Sequence, residues 1–172
     1  MNDPKEGLLL VFPRDDAKQL FAARGDEALA AFLSEHLAQP SDSQPEQLGL
    51  QRLWHLIHTL LCDGDHAADG GTMPLNQVIL GGRSLYAGDD RIVRLVRPDI
   101  VGHAAVALKE LKLEAMNTTF QSVDLTEVCH LNSDDDATLK FDSILSLIKK
   151  TTDLFENAAS QGAAVAFYAD FS

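Results

Sequence analysis

The sequence is poor in aromatic residues, cysteines and long apolar runs. Aromatic residues make up 6% of its 172 residues, so aliphatic side chains must form most of any core. The two cysteines, Cys62 and Cys129, are too few for a disulfide framework, and both lie in apolar runs, which favours buried, reduced thiols. No apolar run reaches the roughly 20 residues that span a bilayer. The polar N-terminus MNDPKEG lacks a signal-peptide profile, so we expect a cytoplasmic protein.

Basic residues are also scarce. The chain has 14 lysines and arginines against 26 acids, which gives a formal net charge of −12. This charge repels polyanions, so we predict that neither nucleic acid nor a membrane is a partner. It attracts a cationic partner, and a basic protein is the partner that we consider. Acidity that serves only solubility is the alternative.

Length and hydrophobic patterning predict a single domain over residues 1–172 with an α+β fold. Apolar runs and alternation predict strands at 7–12, 91–98 and 163–171. Helical periodicity predicts helices at 15–24, 26–38, 49–62, 74–80, 99–111, 112–120 and 132–162, with loops at 39–47 and 63–72 and a turn at 122–127. We therefore expect a helix-rich domain with a small mixed or antiparallel sheet that includes the N- and C-terminal strands.

The segment LWHLIHTLLCDGDH, residues 53–66, holds the only tryptophan and three of the six histidines. His55 and His58 lie three apart on a predicted helix, a spacing that can place two imidazoles side by side, and Asp63, Asp65 or His66 could supply a third metal ligand. A zincin needs HExxH, however, and this pattern is HLIH. The alternative is a packed helix face with hydrogen-bonded histidines. We predict no metal and no cofactor.

Catalytic signatures are absent from the sequence. Cys62 or Cys129 beside a histidine is a conceivable nucleophile, but no GxSxG elbow is present. The Gly81-Gly82-Arg83-Ser84 segment matches neither GxxxxGK[ST] nor GxGxxG, although Arg83 could still donate a fork of hydrogen bonds to a carboxylate or phosphate. We predict no catalytic residue, and the sequence favours a protein that is not an enzyme.

Three segments, LGLQRLWHLIHTLLCDG, MPLNQVILGG and RLVRPDIVGHAAVAL, resemble the YfbM-like family of small bacterial proteins, a domain of unknown function. Trp54 and His58 stand at the family's Trp and His, and its PL and GG pairs are matched by Pro74, Leu75, Gly81 and Gly82. FENAASQGAAVAFYAD resembles the family's last helix and strand. The resemblance covers most of the chain and implies an α+β fold but no reaction. It also implies that the Trp-His helix lies near the GG turn, where His58 could bond a carbonyl.

Two functional hypotheses follow. The first is a non-enzymatic, acidic protein-binding module, such as an immunity or inhibitor protein for a basic toxin or enzyme. Its predicted partner patch consists of Asp63, Asp65, Asp69, Asp134, Asp135 and Asp136. The alternative is a small-molecule-binding protein or a hydrolase. Its predicted pocket is lined by Trp54, His58, Arg83 and Tyr86.

Overall fold

The N-terminal and C-terminal strands form the centre of the sheet. A computed structural model describes residues 6–23, 25–39, 46–86, 88–128 and 140–171. In it, β1 (Gly7–Phe12) pairs antiparallel with β5 (Ala164–Asp170), with Gly7 opposite Ala169 and Phe12 opposite Ala164. Both strands were predicted from their apolar runs, and the structure pairs them with each other.

Three further strands complete a five-stranded antiparallel sheet. Its order is β2-β1-β5-β4-β3, where β2 is Gln47–Gln51, β3 is Arg83–Ser84 and β4 is Arg91–Val96. β1 and β5 are therefore flanked on both sides, and the short β2 and β3 form the edges. The predicted α+β fold, with a sheet that includes both terminal strands, is confirmed.

Helices cover both faces of this sheet. The helices are α1 (Arg14–Ala22), α2 (Asp26–Leu37), α3 (Trp54–Leu61), α4 (Pro98–Lys109), α5 (Leu113–Ser122), α6 (Leu125–Val128) and α7 (Phe141–Ser160), with a 3₁₀ turn at Leu75–Gln77. α1 and α2 pack on one face, and α3, α4, α5 and α7 contribute to the core on the other. The first part of the predicted helix 132–162 lies outside the described residues.

Alternation along the central strands supplies both cores. Leu10 and Phe12 of β1 face α1 and α2, whereas Leu9 and Val11 face the larger helical layer. Because successive strand residues point to opposite faces, a strand covered on both sides must be apolar throughout. The run GLLLVF meets this requirement, and its four residues Leu9 to Phe12 are at most 3% exposed.

The predicted helix at 49–62 is wrong in its first part. Residues 47–51 form β2 and pair with β1, Leu9 lying opposite Leu48, and α3 begins only at Trp54. Gln51 has a φ of 54°, so the backbone leaves the strand through the left-handed region before the helix starts. Leucines at 48, 50 and 53 fit a helix as well as a strand followed by a helix, and pairing with β1 decides between them.

Two shorter predictions also need correction. The helix expected over 74–80 is a single 3₁₀ turn, Leu75–Gln77, followed by turns that run to Gly81. The turn expected at 122–127 gives way to the short helix α6. The segments are too short for periodicity to separate a turn from a helix.

Gly7 makes room for the indole of Trp54. The indole is 4% exposed and packs against Phe167, with 5.4 Å between ring centroids. A Cβ placed on Gly7 would lie 2.7 Å from Cδ1 of Trp54 and 2.8 Å from Cε2 of Phe167. These contacts are shorter than van der Waals contact, so the glycine is required by the packing of the two rings.

We predict that Gly7→Ala lowers the free energy of unfolding by about 1–3 kcal/mol, since an added methyl must displace two buried rings. Urea denaturation followed by Trp54 fluorescence measures this loss. Gly49→Ala in β2 is the matched control, because its Cβ would meet only Leu8 Cδ2, at 3.9 Å. Equal losses in the two variants would contradict the role assigned to Gly7.

Candidate functional site

The helix α3 and the loop that follows it, residues 62–72, hold the residue types most suited to chemistry. All of α3 except His55 is buried, including the polar His58 and Thr59. The acids of the loop are exposed, whereas Cys62 and Gly70 are buried. The segment therefore combines a buried helix with an acidic surface.

The imidazole of His58 is bonded to the loop. Its side chain is fully buried, and its Nε2 donates to the backbone oxygen of Ala67 at 2.8 Å. Burial lowers the pKa of His58, and the hydrogen bond to Ala67 opposes this shift only in part. The ring is thus held as a neutral donor that ties the loop to α3.

A second imidazole makes an equivalent contact. Nε2 of His55 lies 2.9 Å from the backbone oxygen of His66, and the ring stacks on Trp54 with centroids 5.4 Å apart. His66 itself lies 3.3 Å from Oε1 of Glu127 in α6. Within the described ranges, no three His, Cys, Asp or Glu side chains are grouped closely enough to hold a metal ion. The histidines connect chain segments.

Cys62 packs beneath the loop beside His58. Its sulfur is 3.7 Å from Nε2 of His58, and the residue is 3% exposed. Burial, with smaller contributions from the charges of Asp65 and Asp63, raises the pKa of the thiol to about 11. Gly71, with φ 73°, lies so close that a Cβ there would be 2.7 Å from the Cys62 sulfur. The geometry gives a protonated thiol under a closed loop, not an activated nucleophile.

The four residues predicted to line one pocket do not come together. Trp54 and His58 belong to α3, on the face of the sheet that carries the larger core. Arg83 is paired with Leu95 on the opposite face, and Tyr86 packs in the core of that face. These four residues therefore do not line one pocket, because the sheet separates Trp54 and His58 from Arg83 and Tyr86.

The side chains of Tyr86 and Arg83 have partners on their own face. The Tyr86 hydroxyl donates to Oδ1 of Asp90 at 2.5 Å, which raises the pKa of Tyr86 and lowers that of Asp90. The Arg91 guanidinium lies 5.0 Å from the Tyr86 ring centroid. Arg83 lies over the ring of Phe21, a residue of α1, at 4.4 Å from its centroid.

The Gly81-Gly82 turn packs against the backbone of Asn76 and of Leu95. A Cβ on Gly81 would lie 2.1 Å from the backbone oxygen of Asn76, and one on Gly82 would lie 2.9 Å from that of Leu95. The glycines thus allow close approach of backbone to backbone. The expected bond from His58 to this turn is wrong, since the acceptor is Ala67 in the acidic loop.

Two adjoining grooves lie beside α4. One groove, of 330 Å³, is lined by Met73, Pro74 and Val106, and a second, of 340 Å³, is lined by Asp63, Leu111 and Thr119 among others. Both grooves are bordered by Ala107 and Glu110, so they form one continuous surface. We call these two grooves and their rims the α4 surface.

The sequence analysis did not predict that two apolar side chains of the α4 surface are exposed. Met73 is 59% exposed and Val106 is 57% exposed. For Val106 a signal existed, because the buried stripe of α4 is Val101, Ala104, Ala105 and Leu108, and Val106 lies off it. Val106 therefore faces solvent and lines the same groove as Met73.

Acidic residues are concentrated in the two segments that contribute Asp63 and Glu110 to the α4 surface. Residues 63–72 contain three acids and no lysine or arginine, and residues 110–128 contain four acids and one lysine. These two segments carry half of the formal net charge of −12. The predicted patch residues Asp63, Asp65 and Asp69 are exposed in the loop. Asp134, Asp135 and Asp136 lie outside the described residues.

The fold and the site together define a class of protein. It has an α+β fold with helices on both faces of an antiparallel sheet. Two histidines of α3 hold the loop that follows this helix in place. The chain belongs to the family described as a domain of unknown function, DUF1877, which matches residues 7–168. The resemblance to the YfbM-like family is thereby confirmed.

A solved structure supports the fold. It is described as the crystal structure of YfbM from Escherichia coli, a protein of unknown function, and this chain is similar to it with a TM-score of 0.69 and 18% identity over 95% of this chain and 99% of that chain. At this identity the similarity shows the fold alone. No curated protein matches the sequence. In the part of the chain that the structure describes, no helix is both long and apolar enough to cross a membrane.

We predict that the stability of the protein decreases with falling pH through His58. Unfolded histidine takes up a proton below about pH 6.5, whereas the lowered pKa of His58 keeps the folded imidazole neutral to a lower pH. The unfolded state then binds more protons, so the free energy of unfolding falls as the pH falls through this window.

Urea denaturation between about pH 7 and about pH 5 tests this prediction, since the window is set by the unfolded histidine. His58→Gln, which retains a side-chain donor for Ala67 but cannot titrate, should show a shallower loss. His103→Gln, at an exposed histidine of α4, measures the effect of removing a histidine elsewhere. The same pH dependence in wild type and His58→Gln would contradict the prediction.

We also predict that the Cys62 thiol is inert in the native protein. With a pKa of about 11, only on the order of 0.1% of the thiol is ionised at about pH 8, and only the thiolate reacts. Iodoacetamide labelling of a Cys129→Ser variant, followed by mass spectrometry, isolates the rate at Cys62. Labelling in urea should be faster by about 100-fold or more. Equal rates in native and denaturing conditions would refute the buried thiol.

Proposed function

We propose that this protein is a non-enzymatic binding protein that docks a basic protein on the α4 surface, as an inhibitor or immunity protein would. The observation that carries the proposal is the pair of exposed side chains, Met73 and Val106, on one continuous surface rimmed by acids. Exposed apolar residues with a charged rim are typical of protein interfaces.

The two grooves suit a basic protein partner in shape and in polarity. Each is shallow and partly apolar, with volumes of 330 and 340 Å³. Val106, Ile100 and Met73 offer contact area for apolar anchors of a partner. Glu110, between the grooves, and Asp63, at the far end, are placed to meet cationic side chains. Lys112 is a single opposing charge on the rim.

Charge supports a basic partner in particular. The segments 63–72 and 110–128 meet at the His66–Glu127 pair and at the groove that Asp63 and Thr119 both line. Their acids therefore share one region of the surface. A field of this sign accelerates the encounter with a cationic protein and disfavours an acidic one.

The loop is suited to this role because it is held in place. His58 and His55 bind consecutive carbonyls of the loop, those of Ala67 and His66. The Asp65 carboxylate accepts a hydrogen bond from the backbone N–H of Ala67 at 3.0 Å. A loop that is already ordered loses little conformational entropy when a partner binds.

A synthetic amphipathic helix of leucine and lysine serves as a defined cationic probe. We expect ¹H–¹⁵N NMR shift changes at Val106, Ala107, Glu110 and Thr119 when the peptide is added to the full chain. Raising the salt concentration should weaken binding, since the charges are exposed. Shift changes confined to other surfaces would show that the α4 surface is not the docking site.

Val106→Lys should weaken binding of the peptide by about tenfold or more, since an interface anchor is worth on the order of 1–2 kcal/mol and the added cation repels the lysines of the peptide. Phe21→Lys is the matched control, because Phe21 is another large apolar residue, 47% exposed, on the opposite face of the sheet. Fluorescence anisotropy measures both affinities. Equal weakening by the two substitutions would contradict docking on the α4 surface.

The same pair of variants tests a natural partner. A basic protein captured from host lysate supports the proposal if wild type and Phe21→Lys retain it, Val106→Lys loses it and the purified pair repeats this order. A captured protein that Val106→Lys still binds would count against the α4 surface.

A further inference from the structure

A basic cleft lies on the opposite face of the sheet from the α4 surface. It has a volume of 460 Å³ and is bordered by Arg14, Lys18 and Arg97, with Phe21 on its wall. Its floor is apolar and includes Leu95 and Ala164, which are 5% and 0% exposed. The lining also includes one acid, Asp99, so three cations against one acid give the cleft a net positive charge in a chain whose formal net charge is −12.

The cations come from different elements that the fold brings together. Arg14 and Lys18 lie on α1, and Arg97 lies between β4 and α4. Arg97 is engaged by Asp99 in a two-point ion pair, at 3.0 and 2.9 Å. In the described part of the chain, Arg14 and Lys18 have no such carboxylate partner. The cleft therefore retains two uncompensated positive charges at its border.

Two helices begin at this cleft. α1 starts at Arg14 and α4 starts at Pro98, and both residues border the cleft. The N-terminus of a helix carries a partial positive charge and backbone N–H groups without helical acceptors. The first turns also carry acids, Asp15 and Asp16 in α1 and Asp99 in α4, which offset this positive charge. The attraction for an anion therefore rests mainly on Arg14 and Lys18.

An aromatic wall completes the cleft. Phe21 is 47% exposed although it is a large apolar side chain, and the Arg83 guanidinium lies 4.4 Å from its ring centroid. The guanidinium fixes the ring and leaves part of it facing the cleft. A flat apolar group could contact this ring above the floor of Leu95. The volume of 460 Å³ lies within the range of small-molecule pockets.

We infer that this cleft binds a small phosphate monoester whose organic part is flat and apolar. The phosphate dianion matches the two unpaired cations, Arg14 and Lys18, and can accept hydrogen bonds from both. The organic part lies against Phe21. This site is separate from the α4 surface, so the inference does not depend on docking of a basic protein.

Phenyl phosphate is the probe that combines the two features. Isothermal titration calorimetry on the full chain compares it with inorganic phosphate, which lacks the ring, and with benzoate, which carries a single charge. We expect phenyl phosphate to bind at least about fivefold more tightly than either. NMR shift changes at Ala17, Phe21 and Leu95 locate the site. Absence of binding, equal binding of the three compounds, or shifts only at other residues would overturn the inference.

Charge-neutralising variants test the cations. The double variant Arg14→Gln, Lys18→Gln should weaken phenyl phosphate binding by about tenfold or more, since two charge-assisted hydrogen bonds are lost. Lys149→Gln, Lys150→Gln removes the same charge from exposed positions of α7, across the sheet, and should leave binding unchanged. Equal weakening by both double variants would show a general field effect and overturn the site.

A third variant tests the aromatic wall. Phe21→Leu should weaken phenyl phosphate binding about threefold or more and leave the affinity for inorganic phosphate unchanged. Circular dichroism tests whether each variant is folded. We expect all of them to fold because Arg14, Lys18 and Phe21 are exposed. An unchanged affinity of Phe21→Leu for phenyl phosphate would overturn the assignment of the ring.

Discussion

The antiparallel pairing of β1 with β5 is the interaction on which the rest of the structure depends. It joins the two ends of the chain at the centre of the sheet, with Leu9 opposite Phe167 and Val11 opposite Val165. Both strands are covered on both faces, so they contribute to both hydrophobic cores. Since the pair forms between residues near opposite ends of the chain, neither core is complete until the last strand has joined. The helices between β1 and β5 pack on one face of the sheet or on the other.

The chemistry of the central histidines is used to hold the structure together. His58 is neutral, buried and bonded to Ala67, and His55 is stacked on Trp54 and bonded to His66. An imidazole whose Nε2 donates to a carbonyl cannot bind a metal through that same nitrogen. Cys62, with its raised pKa, is similarly unreactive. The residues that resemble a catalytic cluster thus fix an acidic loop in place.

Charge is distributed between two faces with opposite character. The loop 63–72 and the segment 110–128 concentrate acids near the exposed Met73 and Val106, whereas Arg14, Lys18 and Arg97 border a cleft across the sheet. The net charge of −12 reflects the acidic region, and it gives no indication of the cations that border the cleft. The proposed docking surface and the inferred anion site follow from this separation. Each combines exposed apolar groups with charges that are mainly of one sign.

Local periodicity was sufficient for the strands near 7–12, 91–96 and 164–170 and for helices such as α4, because each pattern is complete within its own segment. The family resemblance rested instead on motif residues such as Trp54, His58 and the Gly81-Gly82 pair. The edge strand β2, the separation of Trp54 and His58 from Arg83 and Tyr86, and the cleft beside Phe21 were decided only by the tertiary structure. The physical reason is that strand pairing determines which face a side chain occupies, and that pairing joins residues far apart in sequence.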